Sequence, residues 1–251
     1  MVVGIERFQE HFAGHEAEYV LIGGAACDLV FAEAGLAFRA TKDFDVVLCV
    51  EIVRAEFAQA FRGFIDAGGY QARERSDGHK EFYRFHKPKD RSYPYMIELF
   101  SSKPQNLKLP EDFRFTKVAV DQGVLSLSAI LLDENYYAAL QQHKVTLNGV
   151  SILDETLLIP FKAKAFLDLT KRQRDGDAVD NDDIKKHRND VYRLAQLLAA
   201  ETSIALPDAI CADLRAYLDE VDGDASFDPK TFDVPMSKQD GATLLRTVYR
   251  L

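Results

Sequence analysis

The sequence predicts an α+β protein, in which a small mixed β-sheet flanked by helices is followed by a helical C-terminal domain. Three observations predict this class. Short strand and helix signals alternate through the first part of the chain, and an Asn-Gly pair between two apolar runs indicates a hairpin at Val145–Ile152. Beyond that hairpin the apolar spacing becomes helical. The expected domains are residues 1–153 and 154–251.

Turn residues and apolar periodicity predict the elements of the first domain. A helix near Ile5–Ala13 precedes a strand at Tyr19–Ile22, after which the Gly23-Gly24 turn leads into a helix from Ala25 to about Glu33. Gly35 is well placed to end that helix. A strand at Asp43–Val50 follows, and glycine and proline bound four further elements: a helix at Arg54–Asp66 and strands at Phe82–His86, Tyr95–Phe100 and Phe115–Val120.

The second domain is expected to contain helices at Pro160–Lys171, Asp182–Ala200, Pro207–Glu220 and Gln239–Tyr249. Proline suits the first position of a helix, where its missing N–H would have no partner anyway. A start at Pro160 places Lys162 in the opening turn, beside free N–H groups that favour anions. The acidic segment Asp175–Asp183 reads as a connector.

Composition limits the classes of function. The chain has 251 residues, of which 47% are hydrophobic and 28% charged, as expected of a soluble globular protein. No signal-peptide pattern and no bilayer-length apolar run is present, so we expect a cytoplasmic protein without a membrane partner. Three cysteines without a C-x-x-C pair fit a reducing compartment. A net charge of −9 argues against a broad nucleic-acid-binding surface.

Two aspartates mark the candidate site. Asp43 and Asp45 flank one residue of an otherwise apolar strand, so their carboxylates share a face while Phe44 points the other way. Two carboxylates held together are costly unless a cation lies between them. Oxygen ligands suit Mg²⁺, which usually takes one or two carboxylates plus substrate phosphates. The alternative is a pair of aspartates that cap a turn or face solvent, although aspartate is depleted in strands.

The Gly23-Gly24 turn strengthens this interpretation. A glycine pair alone is weak evidence, because such turns are common. Placed directly before a helix, however, it supplies backbone N–H groups that can hold phosphates. The turn and the Asp-x-Asp pair together point to phosphoryl or nucleotidyl transfer.

A third carboxylate is predicted at Glu98, inside the apolar strand Tyr95–Phe100. A buried charge needs a partner, so Glu98 could bind a metal ion or accept the proton of an incoming hydroxyl. The alternative is an edge-strand glutamate that faces water or pairs with lysine.

Two residues of the helical part are further candidates. Lys162 shares a helix face with apolar residues; it either extends to solvent or places its ammonium on nucleotide phosphates. Asp190 lies on the shoulder of the stripe of its own helix, from which it could reach Lys162 or a ligand. The basic run Lys185–Arg188 is read as a solvated face or, alternatively, as a local site for a polyanion.

Taken together, Gly23-Gly24, Arg39-Ala-Thr41-Lys-Asp43-Phe-Asp45, Glu98, Lys162 and Asp190 resemble the DNA polymerase β-like nucleotidyltransferase superfamily. In particular they resemble its AbiEii-type branch, whose members include toxins of bacterial toxin–antitoxin pairs. The resemblance spans roughly Tyr19 to Leu198. It departs from the superfamily pattern in the long spacing from Gly24 to the aspartates, in a glutamate as third carboxylate, and in a glycine where many members have serine.

The resemblance implies a Mg²⁺-dependent (or Mn²⁺-dependent) enzyme that moves an NMP from an NTP to an acceptor hydroxyl, with an antitoxin as a further partner. A tRNA end, a protein and a small molecule remain open as acceptors. Two alternatives are a catalytically inactive binding protein of the same fold and a metal-dependent phosphoesterase, the latter weakened because no histidine stands near the aspartates. The implied site residues fall into three overlapping sets: Asp43, Asp45 and Glu98 on the metal; Gly23, Gly24, Arg39, Thr41 and Lys162 on the nucleotide; and Asp43, Asp45, Glu98, Lys162 and Asp190 in catalysis.

Overall fold

The computed structural model describes residues 2–39, 41, 43–48, 55–75, 82–101, 116–117, 130 and 133–251. Within the strands, the side chains of Asp43 and Leu48 and those of residues 72–75, 82–83, 101 and 116–117 lie outside this description. The chain divides into two compact units, one formed by residues 1–120 and 144–154 and the other by residues 121–143 and 155–251. The domain limits proposed from the sequence, at residues 153 and 154, stay a prediction.

Three helices and eight strands make up the described part of the first unit. The strands form one mixed sheet in the order β6-β3-β4-β5-β2-β1-β8-β7, which confirms the mixed sheet flanked by helices. The helices are α1 (Ile5–His11), α2 (Gly23–Glu33) and α3 (Ala55–Gly68), and the strands are β1 (Tyr19–Ile22), β2 (Asp43–Leu48), β3 (Gln71–Arg75), β4 (Phe82–His86), β5 (Met96–Ser101), β6 (Thr116–Lys117), β7 (Lys144–Leu147) and β8 (Val150–Leu153).

An aromatic core covers one face of this sheet. Phe8 of α1 packs 5.2 Å from the ring of Tyr19 and 5.6 Å from that of Phe44, and Phe61 of α3 lies 5.4 Å from Phe85. These five rings are almost completely buried, and large buried aromatic surfaces are a main source of core stability. Because side chains alternate along a strand, burying Phe44 on this face turns its neighbours on β2 to the other face.

The predicted hairpin is confirmed. Strands β7 and β8 pair antiparallel, with Leu147 opposite Val150. The two residues between them, Asn148 and Gly149, have φ angles of 49° and 74°. Both residue types tolerate positive φ, which the tight turns that match strand twist require.

Glycines mark both ends of α2: Gly23 and Gly24 begin the helix, and Gly35 follows its last turn. The predicted turn Gly23-Gly24 is itself the first part of α2, so the expected start at Ala25 is two residues late. Gly35 has a φ of 70°, and beyond it the Leu36 N–H donates to the Phe31 carbonyl at 2.8 Å. This left-handed closure ends the helix where the sequence predicted.

The second unit is helical, as predicted. Among the described residues, no helix is both long and apolar enough to span a membrane. The elements are α4 (Glu134–His143), α5 (Glu155–Arg174), α6 (Asn181–Ala195), α7 (Asp208–Gly223), a 3₁₀ turn (Pro229–Phe232) and α8 (Lys238–Tyr249).

Helix α5 begins five residues before Pro160, so the prediction that Pro160 opens the helix is wrong. A proline inside a helix cannot donate to the carbonyl four residues earlier, here that of Thr156. The Tyr249 hydroxyl of α8 donates to this carbonyl at 2.8 Å, which compensates for the missing backbone bond. As a result Lys162 lies beyond the opening turn of α5, and the expected help from free N–H groups does not apply to it.

Candidate functional site

Strand register brings two of the predicted carboxylates together in the first unit. Strand β2 pairs in parallel with β5, which places Asp45 opposite Glu98, and antiparallel with β1, which places Asp45 opposite Ile22. Paired residues on neighbouring strands point to the same face. Asp45 and Glu98 are therefore direct neighbours on the face opposite Phe44, and Glu98 is only 5% exposed.

An arginine that the sequence analysis did not single out extends this arrangement. Arg84 on β4 is the antiparallel partner of Glu98. Its Nε donates to Glu98 Oε1 at 2.7 Å, and its Nη2 lies 2.5 Å from the same oxygen. Arg84, Glu98 and Asp45 thus follow one another across three adjacent strands, and we call these three residues the charged row.

The charged row sets the electrostatics of Glu98. Burial is the largest influence and raises the pKa of Glu98 well above its usual value. The charge of Asp45 and a hydrogen bond with that carboxylate raise this pKa further, while the Arg84 guanidinium opposes the shift. Burial and proximity to a like charge both disfavour the ionised form of a carboxyl group, and Glu98 experiences both effects.

The glycine pair lies against this site. Gly23 has a φ of 66°, and a Cβ added there would lie 2.8 Å from Asp45 Cγ and closer still to Oδ2. A Cβ on Gly24 would lie 2.9 Å from Thr41 Cβ. The N-cap of α2 is Ile22, whose side chain cannot accept a hydrogen bond. Asp45 and Thr41 therefore meet the start of α2, where the first N–H groups have no partner within the helix and favour anions.

The remaining predicted residues of this unit are less completely placed. Asp43 pairs with Met96 in the sheet, but its side chain lies outside the described residues, so its expected position beside Asp45 stays a prediction. The Arg39 guanidinium lies 5.0 Å from the centre of the Phe38 ring. Within the described set, which leaves out the Asp43 carboxylate, no group of three or more His, Cys, Asp or Glu side chains is arranged to hold a metal ion.

The chemistry of the described donors nevertheless fits a hard divalent cation. Asp45 and Glu98 offer only carboxylate oxygens, the ligand type that Mg²⁺ and Mn²⁺ favour. After burial, the charge of Asp45 is the next largest cause of the raised pKa of Glu98, and a cation beside both groups would favour their ionised forms.

In the second unit, Lys162 and Asp190 form a buried ion pair. Lys162 Nζ lies 3.1 Å from Asp190 Oδ2, with side-chain exposures of 5% and 0%. Arg193, one turn further along α6, donates from Nη1 to Asp190 Oδ1 at 3.2 Å. Asp190 thus fixes two cations, and Lys162 does not extend to solvent. The contact between Asp190 and Lys162 that was proposed from the sequence is therefore observed.

The basic run at the start of α6 is paired with acidic groups. Lys185 and Lys186 each lie 4.0 Å from the aspartate three residues earlier. Arg188 donates to Asp224 Oδ2 at 2.6 Å. Since these cations have carboxylate neighbours, the run favours the reading of a solvated face over that of a polyanion site.

Arg84 and Arg193 are the residues that sequence reasoning missed. A signal for Arg84 exists: the strand Phe82–His86 is followed by a Pro-bounded turn and the strand containing Glu98, which predicts a hairpin. In such a hairpin an arginine on one strand can neutralise a buried glutamate on the other, which is the arrangement that Arg84 and Glu98 adopt. For Arg193 the signal is its position three residues after Asp190 in a helix.

No protein-family model matches the chain, and comparison with curated proteins finds no match. Among solved structures, the chain is similar to the crystal structure of an antigenic nucleotidyltransferase-like protein from Paracoccidioides brasiliensis, with 13% sequence identity. The match covers 98% of this chain and 91% of that chain, with a TM-score of 0.46. A similarity of this strength carries no information about activity, so function has to be inferred from the chain's own residues.

Proposed function

We propose that the protein is a Mg²⁺-dependent or Mn²⁺-dependent nucleotidyltransferase, which moves an NMP from an NTP to an acceptor hydroxyl. One observation carries the proposal: Asp45 and Glu98 are register partners on adjacent strands, and Asp45 lies directly against the glycine-rich start of α2. Carboxylates that can hold a metal ion and backbone N–H groups that can hold phosphates therefore lie together. That combination is what transfer from a metal-bound triphosphate requires.

Each residue of the first unit has a role in this proposal. The N–H groups at Gly23 and Gly24 would bind phosphate oxygens, which approach closely only where side chains are absent. Asp45, with Asp43 beside it on the strand, would hold the metal ion, whose chemistry is to neutralise phosphate charge and align the leaving group. Glu98 would complete the metal site or take the proton of the acceptor hydroxyl. For the second role a raised pKa is suitable.

The neighbours of the glycines complete the nucleotide site in this proposal. Thr41 packs directly on Gly24, so its hydroxyl would lie near a phosphate bound at the α2 start. Arg39, two residues earlier, would supply a positive charge for the same anion. Their assignment to the nucleotide rests on the resemblance of the segment Arg39–Asp45.

In the second unit, the resemblance assigns Lys162 to the nucleotide phosphates and Asp190 to catalysis. The buried bond to Asp190 supports a fixed ammonium in place of a mobile one, and fixed charge is what electrostatic catalysis uses. Measuring the transfer of label from α-labelled nucleoside triphosphates by Lys162→Met tests this role. Transfer at the wild-type rate would remove Lys162 from the catalytic set.

The direct test uses α-labelled nucleoside triphosphates with a crude cell extract as the source of acceptor. We expect the wild-type protein to move label into one fraction of the extract, and Asp43→Ala and Asp45→Ala each to abolish this transfer. Asp66→Ala is the matched control, because Asp66 is an exposed carboxylate of α3 that pairs with Arg62 at the surface. Far-UV circular dichroism confirms that the variants are folded. Normal transfer by both site variants would refute the proposal.

The alternative is a catalytically inactive protein of the same fold that binds a partner. The bond from Arg84 to Glu98 is compatible with it, since a purely structural strand pairing would look the same. Calorimetric titration of the four NTPs with and without Mg²⁺ separates the two proposals. Metal-dependent heat with any NTP favours the enzyme, and no heat with all four favours the alternative. Release of phosphate without pyrophosphate from labelled ATP would instead indicate a phosphoesterase.

The finer assignment, to the AbiEii-type branch and to a toxin with an antitoxin partner, rests on the motif residues alone. A toxin should stop cell growth on induced expression, and Asp45→Ala should restore growth at equal protein level. The proposed setting is the cytoplasm, where a reducing environment keeps buried cysteines such as Cys27 and Cys211 in the thiol form. Unimpaired growth with the wild-type protein would leave the transferase proposal standing and remove the toxin role.

A further inference from the structure

Arg84 and Glu98 form an ion pair on the face of the sheet that also carries Asp45. Two nitrogens of Arg84, Nε and Nη2, contact a single carboxylate oxygen of Glu98, Oε1. The side chains are 17% and 7% exposed, so the pair is largely removed from water. On the other side of Glu98 in the sheet stands the carboxylate of Asp45. Glu98 is therefore held between a fixed positive and a fixed negative group.

We propose that Arg84 is a built-in counter-ion, which takes at Glu98 the place that a second metal ion would occupy, so that the site binds one divalent cation per chain. This inference rests on the proposed function, because it concerns the metal stoichiometry of that same site. In it Asp45, with Asp43, carries the metal ion, while Glu98 is oriented by Arg84 and presents its other oxygen to the site.

Charge and geometry both support this assignment. A guanidinium stays charged at every accessible pH and binds a carboxylate in a rigid, directed way. It is attached to the central part of β4, so it cannot diffuse away as a bound ion can. A second divalent cation at Glu98 would have to displace it or lie beside it, and like charges repel strongly where water is excluded.

A purely structural role for Arg84 makes a different prediction. If the arginine only pairs β4 with β5, removing its charge should change stability and leave the number of bound metal ions as it was. If it replaces a cation, removing it should create room and demand for one. Metal stoichiometry therefore separates the two roles independently of enzymatic activity.

The test counts Mn²⁺ bound to the full-length protein by electron paramagnetic resonance, in parallel with thermal unfolding at increasing Mn²⁺ concentration. Wild-type protein is expected to bind one Mn²⁺ per chain. Arg84→Met is expected to bind two and to gain more thermal stability from Mn²⁺ than the wild type. The double variant Arg84→Met with Glu98→Gln is expected to return to one. Arg62→Met, an arginine of α3 in an exposed ion pair with Asp66, is the matched control and should bind one.

The outcomes distinguish failure of the inference from failure of the proposed function. Two Mn²⁺ ions on the wild type, or an unchanged count of one on Arg84→Met, overturns the inference and leaves the transferase proposal intact. Absence of any Mn²⁺ binding by the wild type overturns both. Should Arg84→Met not fold, Arg84→Gln keeps hydrogen-bond donors while losing the charge. It is then expected to bind two ions, and a count of one overturns the inference.

Discussion

Replacing Gly23 by alanine should damage both stability and metal binding, for reasons that can be separated. With a φ of 66°, an alanine at this position adopts a left-handed backbone at a cost of about 1–2 kcal/mol. Its Cβ would also lie 2.8 Å from Asp45 Cγ, which forces that carboxylate off its preferred rotamer at a further cost of about 0.5–1.5 kcal/mol. We therefore expect a loss of about 2–3 kcal/mol in the free energy of unfolding, together with weaker Mn²⁺ binding.

Gly35 provides the control for this experiment. Its φ is 70°, and an added Cβ would meet nothing within 4 Å. Gly35→Ala should therefore lose only the backbone part, about 1–2 kcal/mol, and bind Mn²⁺ as the wild type does. Urea unfolding followed by circular dichroism measures stability, and Mn²⁺ titration measures binding. Equal losses of stability in the two variants, together with equal Mn²⁺ affinity, would show that Gly23 has no special relation to Asp45.

Three further predictions concern buried polar groups. In urea unfolding, Asp190→Ala should lower the free energy of unfolding by about 3–5 kcal/mol, because it leaves buried cations without their carboxylate. Lys162→Met should lower it less, because a second cation still pairs with that carboxylate. Equal losses would contradict this order. Tyr249→Phe should lower the free energy of unfolding by about 1 kcal/mol. In a Pro160→Ala background the loss should be clearly smaller, because the restored N–H of residue 160 donates to the same Thr156 carbonyl. A double-mutant cycle without coupling would contradict this prediction. Folding raises the pKa of Glu98, so between its unfolded and folded pKa values the native state binds more protons than the unfolded state. The free energy of unfolding should therefore fall as pH rises through this window. Glu98→Gln should flatten that fall, and unchanged pH–stability curves would contradict the prediction.

Local patterns predicted much of the fold because their causes are local. The hairpin followed from Asn148-Gly149, and strand β1 followed from a short apolar run ended by glycines. The alternation on β2 predicted that Phe44 points away from the face of Asp45, and strand pairing places Asp45 beside Glu98 and Phe44 beside Ile97. Such features depend on the residue types in turns and on the spacing of apolar residues, and both can be recognised in a few neighbouring residues.

The features that were missed depend on partners that are distant or on polar segments. Strand β3 (Gln71–Arg75) carries almost no apolar alternation, and pairing with β4 defines it. Helix α4 is an exception, since it was missed although its signal is local: Tyr136, Ala139 and Leu140 are buried at helical spacing. The extension of α5 through Pro160 could not be predicted locally, because the compensating hydroxyl lies 93 residues from the carbonyl that it serves.

The same distinction applies to the candidate site. The carboxylates Asp45 and Glu98 were identified by their residue type inside apolar strands, which is a local signal. That they are neighbours depends on the parallel pairing of β2 with β5, and that Arg84 neutralises one of them depends on β4 lying beside β5. Strand order is a property of the whole sheet, and short-range pattern reasoning does not provide it.

The aromatic core explains how the sheet tolerates two adjacent carboxylates. A shift of β2 by one residue would move Phe44 into the position of Asp45 and carry the aspartate into the core. Fully burying a phenylalanine is worth about 1.5–3 kcal/mol, and Phe44 is 0% exposed against the ring of Phe8, so this shift is strongly disfavoured. The core thus enforces a register that places like charges side by side, and Arg84 offsets part of their repulsion. Since Asp45 lies on the face opposite this aromatic core, Asp45→Ala should fold, and a loss of transfer in a folded variant can be assigned to chemistry.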